Sequence, residues 1–312
     1  MNNGRKIAES AALMAVFCIL VFLCVQLPLI GAILMFVLPL PFILVAAKYN
    51  LTWSLCYLVI GTLITVIIGT PLFVPVAFLF GGTGIAIGYN LQKRHSFGTM
   101  YVSSVIVFLF GFVALYVFSI YFLHVNILET SIDMVRDSIE QSSKMLAEMG
   151  QSPQNPAFDR FSKSLDMLMI LAPSLFAVTS MIMVILILLA VTPIIKRLRS
   201  NRIEWQPISK LQMPRSILWY YLIGMILSFF IKAEETDAIY IVIVNVLYLL
   251  QTLLLLQGYS FLFFYSKLKG WPKAFSWFIV VLSLLVPIFH YVIRILGIID
   301  LGFKFREAHN KK

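Results

Sequence analysis

Along this chain, apolar residues run in stretches of about twenty, parted by short polar interruptions. Neither the alternation of a half-buried strand nor the narrow stripe of a soluble helix is present over most of the length. A helix needs about 20 residues to cross the hydrocarbon core of a bilayer. On that ruler, spans are expected at 7–28, 31–47, 51–70, 72–91, 98–123, 167–195, 215–231, 239–265 and 274–297. The first two are separated only by Pro28 and Gly31, and Pro39 and Pro41 make the second irregular. Non-helical backbone at that depth must face protein or a cavity.

One stretch breaks the pattern. Residues 124–166 carry seven acids and four bases. Within them Leu128, Ile132, Val135, Ile139, Ser142, Leu146 and Met149 recur with 4-3 spacing, the seam of an amphipathic helix. Arg136–Glu140, Glu140–Lys144 and Lys144–Glu148 are opposite charges four residues apart, which support that helix. Gly150, Pro153 and Pro156 end it. Two readings stand: a cap over the bundle, or a helix that binds a partner or a second copy.

Charge then orients the chain. Arg5/Lys6, Lys48, Lys93/Arg94, the run Lys196–Arg202 and Lys267/Lys269/Lys273 follow every second crossing and mark the cytoplasmic side. The N-terminus is therefore expected in the cytoplasm and residues 124–166 outside it. Eight spans agree with this alternation. A ninth would put Lys304, Arg306, Lys311 and Lys312 on the wrong side, so either a late segment is re-entrant or the tail is an exception. The apolar run from Ile7 to Ala47 is far longer than the roughly 7–15 residues of a signal peptide core, which predicts a retained first helix.

Composition agrees. Of 312 residues, 61% are hydrophobic and 12% charged, and the mean hydropathy is +0.94. Soluble domains carry about twice that share of charge. A soluble enzyme, a disordered chain and a disulfide scaffold are excluded. The formal charge of +10 belongs to the loops, not to one basic stripe, so no nucleic acid partner is expected. Cys18, Cys24 and Cys56 lie in apolar runs without a CxxC or a neighbouring histidine, which reads as buried small side chains and no metal.

Small residues at four-residue spacing mark close helix packing in membranes. Gly61, Thr65 and Gly69 form one such stripe, Gly81, Gly84 and Gly88 a second, and Ala8, Ala12 and Ala15, extended by Ala11, a third. Each stripe serves either packing within the chain or docking of another membrane protein. Gly81-Gly82-Thr83-Gly84 lacks the lysine of a phosphate loop. GxSxG, HExxH and paired intramembrane aspartates are absent from the sequence, so neither an enzyme nor a cofactor is expected. Polar groups inside spans are functional suspects by default. His290 and Arg294 share a helix face, and Asp300 would reach Arg294 if the helix end unwinds. Asn245, Gln251 and Gln257 add donors and acceptors to the eighth span. These six are the ligand-binding candidates, with bonding between helices as the alternative.

The order of the Ala8–Ala15 stripe, the Leu38-Pro-Leu-Pro-Phe-Ile-Leu44 segment, the glycine-spaced span ending Gly69-Thr-Pro71 and the Gly81–Gly88 helix resembles the substrate-binding S components of energy-coupling-factor vitamin transporters. In those proteins an AxxxA stripe on the first helix docks the transmembrane coupling subunit, and Ala8-x-x-x-Ala12 matches it. The ending, from Leu296 through Asp300 to Arg306, is similar to the closing signature of an uncharacterised Firmicutes membrane family, the YybS-like proteins. S components have six spans in roughly 200 residues, so this chain adds about three helices and the 124–166 insertion.

The expectation is an all-α, polytopic protein of the bacterial cell membrane with eight or nine spans. Residues 1–200 would form an S-component-like bundle, and residues 201–312 further helices and a basic tail. The resemblance implies small-molecule binding for uptake, with a coupling subunit and ATPases as partners beside the lipid bilayer. The alternative is a scaffold or regulator that binds other envelope proteins through the heptad segment.

Overall fold

The computed structural model describes residues 3–68, 73–148, 156–198, 203, 205–230, 237–303 and 306. Thirteen α-helices and one 3-10 turn form it, with no strand among the described residues. Among the described residues, six helices are long and apolar enough to cross a membrane. They are α1 (Asn3–Gln26), α4 (Leu51–Ile68), α5 (Phe73–Gln92), α6 (Phe97–Leu123), α9 (Ala172–Leu198) and α11 (Ala238–Leu268). The protein is an all-α polytopic membrane protein.

The other apolar stretches are built from shorter pieces. The span expected at 31–47 is two helices, α2 (Pro28–Leu34) and α3 (Leu40–Ala46), parted by a turn. Proline explains the break: Pro39 and Pro41 donate no backbone N–H, so a continuous helix through them would lose hydrogen bonds. The span expected at 274–297 divides into α12 (Lys273–Leu285) and α13 (Pro287–Phe303). Val286 is extended, at φ −120° and ψ 110°, because the ring of Pro287 disfavours a helical residue before it. The seventh stretch is α10 (Ser216–Phe230), about 22 Å long at 1.5 Å per residue. The 124–166 insertion holds α7 (Ile127–Glu148) and α8 (Pro156–Ile170). Gly150 and Pro153, which were expected to end its seam, lie outside the described residues, as do Gly69 and Met149.

The chain divides into two compact units, Met1–Met169 with Thr179–Glu204, and Ile170–Val178 with Trp205–Lys312. In the first, α3 is the buried centre. Six of its seven residues are buried, and Phe42 is wholly so. The Phe42 ring makes edge contacts with Phe17 of α1 (4.9 Å between centroids) and Tyr57 of α4 (5.2 Å). α5 closes onto the other side. A Cβ on Gly84 would stand 2.6 Å from the Pro39 carbonyl oxygen, and one on Gly88 2.5 Å from that of Ile43. The glycine repeat on α5 thus matches the four-residue step of α3, and backbone meets backbone. An irregular helix at membrane depth is shielded by protein on several sides, as its free polar groups require.

In α7 the seam is only partly covered. Ile132 is buried and Leu128 and Ile139 are half-buried, but Val135 and Ser142 are exposed. The Glu140–Lys144 pair forms, at 2.7 Å. Arg136 does not pair with Glu140; it reaches Asp133 at 3.5 Å and Asp166 of α8 at 2.7 Å, the second bond tying the two helices together.

In the second unit α11 is central. Ile217, Leu250, Leu254 and Leu301 form its apolar core. α13 crosses α11 so closely that a Cβ on Gly258 would overlap the Ile293 carbonyl, and one on Gly297 that of Leu254.

Candidate functional site

The three small-residue stripes have two different destinations. Gly61 faces Phe42 and Phe17, Gly81 faces Leu58 and Phe42, and Gly84 and Gly88 face the α3 backbone. Thr65 is buried with its hydroxyl donating to the Thr62 carbonyl at 2.6 Å. These residues pack the chain against itself. The α1 stripe does not: Ala8, Ala11, Ala12 and Ala15 are all exposed. The helix buries the opposite face, through Ser10, Met14, Phe17, Val21 and Cys24, whose 4-3 spacing keeps one side inward.

Polar contacts at the start of α1 fix which side that is. The Glu9 carboxylate accepts from Arg5 Nε at 3.0 Å, from the Tyr49 hydroxyl at 2.7 Å and from the Lys48 ammonium. Trp53 Nε1 donates to Ser10 Oγ at 3.0 Å, and Lys6 sits 4.0 Å above the Trp53 ring. Beside the alanines, α1 and α4 leave an apolar groove of about 370 Å³ lined by Ala11, Ala15, Met14, Cys56 and Ile60 among others. Cys56 is exposed there, contrary to the buried role expected of it; Cys18 is half-buried and Cys24 buried.

The six polar candidates of the second unit do not converge. Asn245 accepts the Ser174 N–H at 2.9 Å and donates to the Ile170 carbonyl at 2.7 Å, so it satisfies the backbone where α8 gives way to α9. Gln251 is half-buried on α11. His290 and Arg294 are half-buried on α13, with the Arg294 guanidinium 5.3 Å over the Tyr291 ring. Gln257 and Asp300 do meet: Gln257 Nε2 donates to Asp300 Oδ2 at 2.5 Å, and Gln257 Oε1 accepts the Met213 N–H at 2.8 Å.

The cation beside Asp300 is Arg306 and not Arg294. Arg306 follows Asp300 by six residues and meets it, with Nε at 2.9 and 3.1 Å from the two oxygens and Nη2 at 2.7 Å. Nη1 donates to the carbonyls of Ser209 (3.0 Å) and Leu211 (3.1 Å), and Nη2 to Ser260 Oγ (3.1 Å). The Ser260 hydroxyl also lies 2.7 Å from the Ile208 carbonyl and 2.5 Å from that of Leu211. Arg306 is 7% exposed and Asp300 3%. A planar guanidinium with five N–H donors can grip a carboxylate with two nitrogens while also meeting two carbonyls and a hydroxyl, more bonds than the three donors of an ammonium can make.

The family described as "Predicted membrane protein (DUF2232)" matches residues 15–301. The chain belongs to this family. It is similar to "Uncharacterized protein YybS" of Bacillus subtilis (strain 168), with 31% identity over 308 residues, 98% of this chain and 99% of that one. No solved structure matches it.

Within this DUF2232 chain, Arg306 and Ser260 belong to a buried cluster that the sequence alone does not reveal. A serine in an apolar helix carries little signal, and Arg306 lies among basic tail residues that read as a topology marker. The one available signal was the closing segment itself, since Asp300 and Arg306 bracket the most polar part of it. Of the α1 stripe, Ala15 is the first residue of the matched region, and Ala8 and Ala12 precede it.

Proposed function

We propose that this membrane protein is the small-molecule-binding subunit of an uptake system and docks a second integral membrane protein through the alanine face of α1. The observation that carries this reading is the contrast between stripes. The described glycine-spaced residues are used up inside the first unit, whereas four alanines of α1 stand uncovered beside an apolar groove. Small side chains let a partner helix approach closely, and in lipid that close packing drives association. The resemblance to S components supports the same face, since Ala8-x-x-x-Ala12 corresponds to their docking stripe. Energy comes from an ATPase module carried by the partner, and the chain itself does no covalent chemistry. Arg5 and Lys6 hold the N-terminus in the cytoplasm. The ligand enters from the outer side, between the first helices and the 124–166 insertion.

The test is purification from mild detergent with identification of co-purifying membrane proteins. Ala8→Leu with Ala12→Leu is expected to release an integral membrane partner and its ATPase while leaving the melting temperature unchanged. If every co-purifying membrane protein stays bound, the docking face is wrong.

A second reading, a scaffold for envelope proteins, draws on α7, where Val135, Met134 and Met145 are exposed along a helix outside the candidate spans. Deleting 128–149 separates the two. Loss of ligand binding with partners retained favours uptake, and loss of partners with ligand binding retained favours the scaffold.

A further inference from the structure

One cleft in the second unit is chemically unlike the rest of the molecule's apolar surface. It encloses about 650 Å³ beside the C-terminal end of α11 and the 3-10 turn Ile208–Lys210. Three cations line it: Lys210 from the turn, Lys267 from the last turn of α11, and Arg306. Gln212 adds a polar group, and Phe264 and Leu268 form an apolar flank. None of the described lining residues is acidic. The carboxylate of Asp300, beside Arg306, is buried and held by Arg306 and Gln257. Lys210 and Lys267 are exposed, so their ammonium groups can swing toward a bound anion, while Arg306 is fixed by its bonds.

The position of the cleft says where that anion comes from. Tyr265 and Trp271 meet edge to face at 5.9 Å at the same end of α11, Trp271 meets Phe275 at 5.0 Å, and Lys269 lies 5.8 Å from the Tyr265 ring centre. Exposed tryptophan and tyrosine beside lysine mark the level of lipid headgroups. Basic pockets at that level on the cytoplasmic side suit anionic headgroups, and Lys267, Lys269 and Lys273 belong to a loop that the charge alternation assigns to that side.

We propose that the cleft between Lys210, Lys267 and Arg306 is a phosphate-binding site occupied by the headgroup of an anionic phospholipid, with an acyl chain against Phe264 and Leu268. The Lys210 and Lys267 ammonium groups pair with the phosphate diester, Arg306 forms a wall already paired with Asp300, and the apolar flank gives the lipid an advantage over a free phosphate ion. This site is independent of the α1 docking face.

The full chain, purified in detergent, is titrated with dioleoyl-phosphatidylglycerol, dioleoyl-phosphatidylcholine or inorganic phosphate, and bound copies are counted by native mass spectrometry. Phosphatidylglycerol is expected to bind and phosphatidylcholine to bind far more weakly. Lys210→Gln with Lys267→Gln should weaken phosphatidylglycerol binding by about tenfold or more. Lys269→Gln with Lys273→Gln, which removes two cations at the same end of α11 outside the cleft, should leave it within about twofold of the original. Inorganic phosphate binding that matches the lipid and is lost in the first variant supports the phosphate site and overturns the lipid as its source. Unchanged phosphatidylglycerol binding in the first variant, or equal weakening in both, overturns the site. Both lysines of the first variant are exposed, and single Lys267→Gln provides the same comparison if the pair melts early.

Discussion

The first unit closes around a phenylalanine, whereas the second carries a buried arginine beside its apolar core. Phe42 is surrounded by rings and by glycines that let α4 and α5 come close. Arg306 is surrounded by a carboxylate, a serine hydroxyl and two carbonyls. Both residues stabilise backbone that is not continuous helix, the proline-broken α2–α3 segment in one case and the 208–211 segment in the other. The apolar centre works by shape, and its neighbours can give a little. The polar centre works by satisfied charge, and removal of one member leaves another stranded. That difference should appear as a difference in how sharply each unit fails.

The largest effect is expected at the polar centre. Arg306→Ala leaves the Asp300 carboxylate buried without its cation, a change that costs about 3–5 kcal/mol. Thermal unfolding in detergent should show it, and adding Asp300→Asn should recover part of the loss because the stranded charge disappears. No recovery would mean that Arg306 acts through its carbonyl contacts alone.

Next comes Gly84→Val, whose Cβ would stand 2.6 Å from the Pro39 carbonyl oxygen. Backbone cannot swing aside, so α3 and α5 must part, at about 1–3 kcal/mol. Gly61→Ala should cost less, below about 1.5 kcal/mol, because the new Cβ meets the tip of the Phe42 ring at 3.1 Å and a ring can tilt. Equal melting temperatures for the two variants would erase the distinction between backbone and side-chain contact.

The smallest effect belongs to the exposed pair on α7, which lies outside both centres. The Lys144 ammonium beside Glu140 holds its carboxyl below the usual carboxylate range, and Glu140 in turn raises Lys144. A carboxyl lowered in the folded state contributes stability above its unfolded pKa and loses it as pH falls through the folded value. Hydrogen-exchange protection of residues 127–148 should therefore drop slightly on acidification, and Glu140→Gln should abolish that portion of the drop. Both residues are largely exposed, so salt should suppress the same effect.

What could be read from the sequence follows from how local each signal is. Pro39 and Pro41 announce a break because proline acts on its own turn, and the Gly81–Gly88 repeat announces close packing because one helix contains all of it. The sequence does not say which stripe faces inward. The α1 alanines and the α5 glycines look alike on paper, and the difference lies in contacts with Trp53, Tyr49 and the α3 backbone. The polar candidates show the same limit. Gln257 and Asp300 stand out as costly groups in apolar helices, but the cation that satisfies Asp300 comes from the basic tail, whose charges read as a marker of topology.

The Arg306 contacts also set an order of assembly. Arg306 follows Ser260 by 46 residues and Ser209 by 97 in the chain. Synthesis runs from the N-terminus, so α11 and the 208–211 segment enter the membrane before their guanidinium partner exists. Until it arrives, the Ser209 carbonyl lacks the guanidinium that it meets in the folded unit. That cluster therefore completes late in synthesis, whereas the Phe42 centre has all its partners once α5 emerges.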